Sequence, residues 1–431
     1  MKSSNQDMEE VLEGRSSFFA MAGTYFLGVF NDNFFKQAAL LLAVTAGLSG
    51  LQGKATMLFS LPFILFSAYA GWFADRFPKR QVIIWVKILE VVAMMMGAYG
   101  ILTLSWQWIL AMISLMGLQS TFFGPALNGS IPELYPAWYI TKANAFLKLA
   151  TTSAILLGMA AAGIALDQRW MHTEIPFGRV LVASIVLLVS LAGLITAFGI
   201  KKNEFSSTTI KAPFPWSGPL ASLRDSIHLY RDPLLLLAVI GDAFFYFFSL
   251  IAVMVINTMG ISELHMSTTA TSLLAVALMV GVCGGSLIAA RITTPKRWTY
   301  VLAPSSFGMG IFLFGTGVVA GLDVNSQWLL LLLFLTGTGI CGGIFLIPFT
   351  AFIQVRPKSH QKGKVISAAN FCAFSGMLVA GQVFSILDGC FIPSSSMLVL
   401  GSLGMGAAIF FYVGAIIANR YDKNLQHIET A

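Results

Sequence analysis

The stretch Asn31-Asp32-Asn33-Phe34-Phe35 places a charged side chain inside a long apolar segment, and Gly241-Asp242-Ala243-Phe244-Phe245 repeats this pattern in the second half of the chain. A carboxylate at the centre of a membrane helix costs about 2.5 to 3.5 kcal/mol on insertion scales. Because each half carries one such group, both carboxylates are predicted to have a use. The pattern indicates a membrane protein of two similar halves.

Composition supports this class, because 57% of the 431 residues are hydrophobic and only 10% are charged. Apolar runs of about 20 residues, the length that spans a bilayer as a helix, recur along the chain. We predict an all-α membrane protein with twelve transmembrane helices. The predicted spans are Ser17 to Ala46, Ala55 to Phe73, Val82 to Leu104, Trp108 to Phe123, Ala143 to Leu166, Phe177 to Ile200, Leu234 to Met259, Thr268 to Ile292, Trp298 to Gly321, Trp328 to Ile353, Val365 to Leu387 and Met397 to Ala418.

Internal similarity indicates a duplication. Besides the two aspartates, three landmarks recur in the same order: Ala55-Thr56 with Ala270-Thr271, Pro78-Lys79-Arg80 with Pro295-Lys296-Arg297, and Ala143-Asn144 with Ala369-Asn370. We therefore expect a six-helix bundle at 1–200, a linker at 201–232, and a second six-helix bundle with a short tail at 233–431. Transporters built from such repeats bind the substrate between the two halves near the bilayer midplane, and they move it when the halves rock around that site.

Basic residues set the orientation. With both termini in the cytoplasm, 20 of the 26 lysines and arginines fall in cytoplasmic segments, and only Lys54, Arg169 and Arg179 fall outside. This asymmetry follows the positive-inside rule and predicts a multi-pass protein with an even number of spans. The net charge of +7 is then explained by topology and by contact with anionic membrane lipids, and no nucleic-acid partner is expected.

Neither the cysteines nor the histidines have the spacing of a metal site, so we expect no metal and no cofactor. The glycine-rich segments lie in apolar spans without a following Lys-Ser or Lys-Thr, so they are not phosphate-binding loops. The chain is therefore predicted to be neither an enzyme nor ATP-driven. The spacings Gly281 to Gly285 and Gly339 to Gly343 predict close contact between helices.

Charged side chains within the spans are the candidate binding residues. Asp32 and Lys36 are four residues apart on one helical face, and Lys87 and Glu90 are three apart, so each pair offers both signs of charge to a substrate. Each could instead be an ion pair that only holds helices together, and Lys87 with Glu90 could lie near the cytoplasmic end and snorkel.

Asn33 and Asp242 complete the candidate binding residues. Asn33 could bind substrate or form a hydrogen bond across helices. Asp242 has no cation four residues away, so its partner must come from another helix, from water or from its own protonation.

In the linker, Leu220, Leu223, Ile227 and Tyr230 share one face at helical spacing. Two interpretations stay open: a short amphipathic helix on the cytoplasmic membrane surface, or a simple tether.

The segment from Gly71 to Arg80, Gly-Trp-Phe-Ala-Asp-Arg-Phe-Pro-Lys-Arg, resembles the signature loop between the second and third spans of the major facilitator superfamily. The resemblance implies that Gly71 allows close helix contact and that Asp75 and Arg76 form charged latches, with Lys79 and Arg80 in the same loop. Pro78 replaces a usual second glycine. Alternatively, the basic residues are only a positive-inside loop.

A second resemblance covers nearly the whole chain. Runs such as Phe26 to Asn33, Gly117-Leu118-Gln119 and Phe122 to Ala126 are similar to the bacterial lysophospholipid transporter family, most of all to the transporter half of fusions with an acyltransferase and an acyl-carrier-protein synthetase. The resemblance implies a flippase in the cytoplasmic (inner) membrane that moves lysophospholipids, chiefly lysophosphatidylethanolamine, inward without ion coupling. Family members commonly have Lys where this chain has Leu127.

Lysophospholipid and membrane lipids are thus the expected partners, and we expect a monomer. Two other functions stay open. The first is a proton-coupled exporter of a small amphipathic molecule, with Asp32 or Asp242 carrying the proton. The second is a membrane partner, without transport activity, of an acyltransferase made as a separate chain.

Overall fold

A computed structural model describes residues 2–135, 137–169, 175–200, 214–293, 298–322, 327–357 and 362–430. The residues it describes form thirteen α-helices. These are α1 (Lys2–Thr45), α2 (Leu51–Arg76), α3 (Lys79–Thr103), α4 (Trp106–Leu134), α5 (Ala137–Asp167), α6 (Phe177–Phe198), α7 (Gly218–His228), α8 (Pro233–Thr258), α9 (Thr268–Ile292), α10 (Leu302–Ala320), α11 (Gln327–Val355), α12 (Lys362–Cys390) and α13 (Pro393–Thr430). Short 3-10 turns precede α8 and α10, and a π-helical segment, Met259–Glu263, follows α8.

The predicted all-α membrane class is confirmed. Eleven of the described helices are long and apolar enough to cross a membrane. A helix satisfies all its interior backbone groups within one segment, which hydrocarbon requires. Each of the twelve predicted spans lies mainly within one observed helix, the first of them in α1. The 44-residue α1 is not among the eleven, since the polar run from Asn31 to Asn33, with Lys36, lowers its hydropathy.

The predicted linker is only partly described, because 201–213 and the second-half landmark 295–297 lie outside the described residues. By its internal contacts the chain forms two compact units. Unit 1 is Met1–Ala39 with Leu61–Pro219, and unit 2 is Leu40–Ser60 with Leu220–Ala431.

In unit 1, α3 packs against α4 and α6, and α5 packs against both α4 and α6. Glycines bring α1 close to its neighbours. A Cβ atom on Gly97 of α3 would lie 2.6 Å from the Phe35 ring, and one on Gly158 of α5 would lie 2.7 Å from the Phe30 carbonyl oxygen. The small residues therefore position α1, which carries Asp32, against α3 and α5.

In unit 2, α9 packs on α11 and α10 packs on α13. The predicted close contact through Gly281, Gly285, Gly339 and Gly343 is confirmed. A Cβ atom on Gly281 would lie 2.9 Å from the Cα atom of Gly339, and one on Gly285 would overlap the backbone of Ile340. Only glycine permits this backbone-to-backbone approach.

The end of α1 and the start of α2 belong to unit 2 through a buried polar network. The Gln52 amide donates to the Thr258 hydroxyl at 2.9 Å and to the Met254 carbonyl at 3.2 Å, and its oxygen accepts from Asn257 at 3.1 Å. The Ser49 hydroxyl donates to the Asp388 carboxylate at 2.6 Å. All the polar groups of Gln52 are thereby paired, as burial requires.

The α9–α11 contact generates a prediction with a neighbouring control. Gly285→Ala is expected to destabilise the protein by about 1 to 3 kcal/mol, because the added methyl group meets the Ile340 backbone. Gly284→Ala, whose methyl group would meet nothing within 4 Å, is expected to leave stability unchanged or slightly higher. Thermal unfolding of the two purified variants in detergent measures the difference, and equal midpoints would contradict the packing.

Candidate functional site

Asp32 is held by two side chains of α4. Its carboxylate accepts a hydrogen bond from the Ser120 hydroxyl at 2.9 Å, and the Gln119 amide nitrogen lies 3.3 Å from each carboxylate oxygen. The same amide nitrogen donates to the Ser120 hydroxyl oxygen at 3.0 Å. Asp32 itself is half-buried. These donors fix the direction of the carboxylate.

The neighbours of Asp32 point to different partners. The Asn31 amide is buried and donates to the Val186 carbonyl of α6 at 3.1 Å. The Asn33 amide donates at 2.8 Å to the Val29 carbonyl of its own helix, so this bond does not cross to another helix. The half-buried Lys36 lies one turn beyond Asp32 and interacts electrostatically with it. Asp32 and Lys36 thus present a carboxylate and an ammonium on one face of α1.

Lys87 and Glu90 form a buried ion pair in unit 1. The Lys87 ammonium lies 2.6 Å from a Glu90 carboxylate oxygen, and each side chain is only 1% exposed. The interpretation that this pair snorkels at the end of its span is therefore wrong. Snorkelling needs access to the headgroup region, and α3 buries both residues against its neighbours.

Glycines of α1 and α6 make room for the Lys87 ammonium. A Cβ atom on Gly28 would lie 2.6 Å from it and one on Gly193 would lie 3.3 Å from it, while the Phe123 ring centroid is 5.4 Å away. In the described part of the chain, the second Glu90 oxygen and the Asn31 amide oxygen accept no hydrogen bond. Lys87 therefore neutralises Glu90 without satisfying all its acceptor sites.

Asp242 is the corresponding carboxylate of unit 2. It is buried on α8, and the Thr350 hydroxyl of α11 is 3.4 Å from one of its oxygens. Among the described residues no lysine or arginine pairs with it. Of the three kinds of partner that the sequence left open, the structure shows one from another helix, the neutral Thr350, which the sequence did not identify.

Gln119, Ser120 and Thr350 are the residues that sequence reasoning missed. They are neutral polar residues in apolar helices, where such side chains commonly bond to the preceding helical turn, so type and spacing alone give no signal. Gln119 was within reach of prediction, because it lies in one of the sequence runs singled out above.

The loop between α2 and α3 is built by backbone capping. Pro78 precedes the first residue of α3, and the Lys79 ammonium donates to the Ala74 carbonyl at 2.8 Å. The Arg80 guanidinium donates to the Ile200 carbonyl, just beyond the end of α6, at 2.6 Å. Cations at helix C-terminal ends complement the free carbonyl groups there. Arg80 thereby ties the start of α3 to the end of α6.

The other loop residues make weaker contacts. The Asp75 carboxylate is largely exposed and lies 3.9 Å from the Lys79 ammonium. The Arg76 guanidinium lies 5.4 Å from the centroid of the Trp72 ring. At Gly71, no described atom would come within 4 Å of an added Cβ atom, so the close helix contact implied for this glycine is not present here. Leu127 is buried in the apolar core of unit 1.

Comparison with known proteins gives a consistent result. The family model described as Major Facilitator Superfamily matches residues 16–381. The chain is 26% identical over 409 residues to the lysophospholipid transporter LplT of Enterobacter sp. (strain 638), covering 91% of this chain and 92% of that protein. It is 25% identical over 408 residues to the protein of the same name from Salmonella arizonae, with the same coverage.

Solved structures show the same fold at low identity. A D-xylose–proton symporter superposes with a TM-score of 0.71 at 14% identity, covering 92% of this chain and 97% of that one. A bacterial homologue of the iron transporter ferroportin gives 0.70 at 13% identity, covering 91% and 98%.

The buried ion pair generates a prediction. Lys87→Met leaves Glu90 as an unpaired buried carboxylate and is expected to destabilise the protein by about 3 to 5 kcal/mol. The double variant Lys87→Met with Glu90→Leu removes both charges and is expected to recover most of that loss. Thermal unfolding in detergent measures both, and a stable single variant would show that the pair does not support the fold.

Proposed function

The chain belongs to the major facilitator superfamily, and on that premise we propose that it is a flippase that moves lysophospholipids such as lysophosphatidylethanolamine by alternating access. The observation that carries the proposal is similarity over 91% of the chain to proteins named lysophospholipid transporter. In this superfamily two halves rock around a substrate site near the membrane midplane.

The polar residues of α1 suit the headgroup of such a substrate. Lysophosphatidylethanolamine carries a phosphate anion and an ammonium cation, and the half-buried Asp32 and Lys36 offer one charge of each sign. Lys36 would bind the phosphate, and Asp32, oriented by Gln119 and Ser120, would bind the ammonium. A low effective dielectric strengthens both contacts.

Other predicted residues have supporting roles in this proposal. Asn33 would add a hydrogen bond to the headgroup, and the acyl chain would project between helices toward lipid. The buried Lys87–Glu90 pair would fix the electrostatic potential near Asp32, with which both groups interact. The loop with Gly71, Asp75, Arg76, Lys79 and Arg80 would act in gating at the end of α2.

The location and partners follow from the same proposal. The chain is a multi-pass membrane protein, and we propose the cytoplasmic membrane with both termini in the cytoplasm, from the distribution of its basic residues. A separate acyltransferase would consume the transported lysolipid, and the transporter would act as a monomer.

A transport assay tests the headgroup assignment. Asp32→Asn keeps the hydrogen-bonding shape but removes the charge, so it is expected to slow leaflet transfer of labelled lysophosphatidylethanolamine about tenfold or more. Lysophosphatidic acid has no ammonium, so its transfer is expected to change far less. Proteoliposomes with each labelled lipid and wild-type or variant protein supply the rates.

Two comparisons make this assay decisive. Asp225→Asn, on α7 outside the membrane spans, removes a carboxylate and is expected to transport as wild type. Equal wild-type and Asp32→Asn rates for both lipids would remove Asp32 from the mechanism. Failure of the wild-type protein to move either lipid would remove the substrate.

Asp242 favours a second candidate, a proton-coupled exporter of a small amphipathic molecule. Intramembrane carboxylates of this kind often act as proton carriers, and Asp242 is buried with Thr350 as its hydrogen-bond partner. That function predicts a substrate-dependent pH change inside vesicles that Asp242→Asn abolishes. Transport with no pH change, or a change that persists in Asp242→Asn, would exclude this role for Asp242.

A further inference from the structure

Helix α7 has its apolar and polar faces in an unusual orientation. The residues directed toward the rest of unit 2 are small or polar: Ser222 is 7% exposed, and the Ser226 hydroxyl, which donates to the Ser222 carbonyl at 2.8 Å, also lies 3.5 Å from the Ala368 carbonyl of α12. Leu229, one turn further, is also buried. Apart from Leu229, the residues of this segment that pack on the protein are small and polar.

Large apolar residues of the same segment face outward. Leu220 is 70% exposed and Ile227 is 60% exposed, and Leu223 and Tyr230 on the same side are exposed as well. A helix at a water-facing surface normally buries this stripe against the core. Here no described part of the chain covers the stripe.

The charged residues flank the apolar stripe on one side. Arg224, His228 and Arg231 are exposed and follow the stripe at the adjacent helical positions. The Arg231 guanidinium lies 5.9 Å from the centroid of the Tyr230 ring, which lies in the stripe. An apolar stripe bordered by basic side chains is typical of helices that lie in the headgroup region of a membrane.

The position of α7 in the chain agrees with a location in the headgroup region. The 3-10 turn Leu229–Arg231 connects it to α8, a membrane span that begins at Pro233 and is capped by Asp232. The Asp232 carboxylate pairs at 2.8 Å with Arg356, the residue after the end of α11. This partly exposed ion pair lies at the start of α8 and directly after the end of α11.

We propose that α7 is an interfacial anchor: its stripe of Leu220, Leu223, Ile227 and Tyr230 inserts into the bilayer surface, and Arg224 and Arg231 contact the phosphates of anionic lipids. Each arginine near such a surface contributes about a fivefold preference for anionic lipid. Charge complementarity and continuity with α8 favour the lipid surface over a partner protein as the occupant.

Site-directed spin labelling tests the anchor. The label is attached at Ile227→Cys, in the apolar stripe, or at Ala221→Cys, an exposed position away from the stripe, with the four native cysteines replaced by alanine. In nanodiscs of phosphatidylethanolamine and phosphatidylglycerol, the label at 227 is expected to collide with oxygen and to exclude a water-soluble nickel reagent. The label at 221 is expected to show the reverse.

The outcomes separate the alternatives. A label at 227 that is open to the nickel reagent in nanodiscs would overturn the proposal and point to a surface kept for a protein partner. A label at 227 that neither reagent reaches would also overturn it, because the chain itself would then cover the stripe.

Adding Arg224→Gln and Arg231→Gln is expected to reduce the ratio of inserted to water-exposed label about 25-fold in phosphatidylglycerol. In phosphatidylcholine these two substitutions are expected to have little effect, and equal losses in the two lipids would refute the phosphate contacts.

Discussion

A charge inside an apolar helical bundle is costly unless a partner neutralises it or donates hydrogen bonds to it, and this constraint shapes the contacts of the charged side chains in both units. Lys87 and Glu90 meet it with a direct ion pair at 2.6 Å. At the start of α8, the Asp232 carboxylate caps the helix and pairs with Arg356. Asp32 is different, since neutral donors of α4 orient its carboxylate and the residue as a whole is only half-buried.

Helix α1 carries three adjacent polar residues with different hydrogen-bond partners. Successive residues of a helix point about 100° apart, so three adjacent polar residues address three surroundings: Asn31 bonds to α6, Asp32 to α4, and Asn33 to its own backbone. Together with the polar first turns of the helix, this run makes α1 the least apolar of the long helices in the first half of the chain. Glycines in α3 and α5 compensate by letting α1 approach closely. The close packing of α1 thus offsets the free-energy cost of placing its polar residues in an apolar environment.

Sequence reasoning predicted most of the fold and less of the site. The spans and the α9–α11 glycine contact follow from composition and spacing, which are local properties. The surroundings of Asp32 depend on the rotation of α1 against α4, and no single-helix pattern encodes that rotation. The burial of Lys87 was missed for a related reason, because it depends on which face of α3 packs against α4 and α6.

The α7 segment shows the same division between local and tertiary information. Its helical spacing was readable from the sequence, but the outward direction of the apolar stripe required the inward contacts of Ser222 and Ser226. In α7 the small residues therefore meet the protein, while the large apolar residues of the stripe face outward.

Asp32 and its neighbours are proposed to bind a zwitterionic lysolipid headgroup. Mass spectrometry can identify the lipids that remain bound to the protein after mild purification. We predict that wild-type protein is enriched in lysophosphatidylethanolamine relative to the surrounding membrane and that Asp32→Asn is not. Bound lipid with the composition of the bulk membrane in both proteins would contradict it.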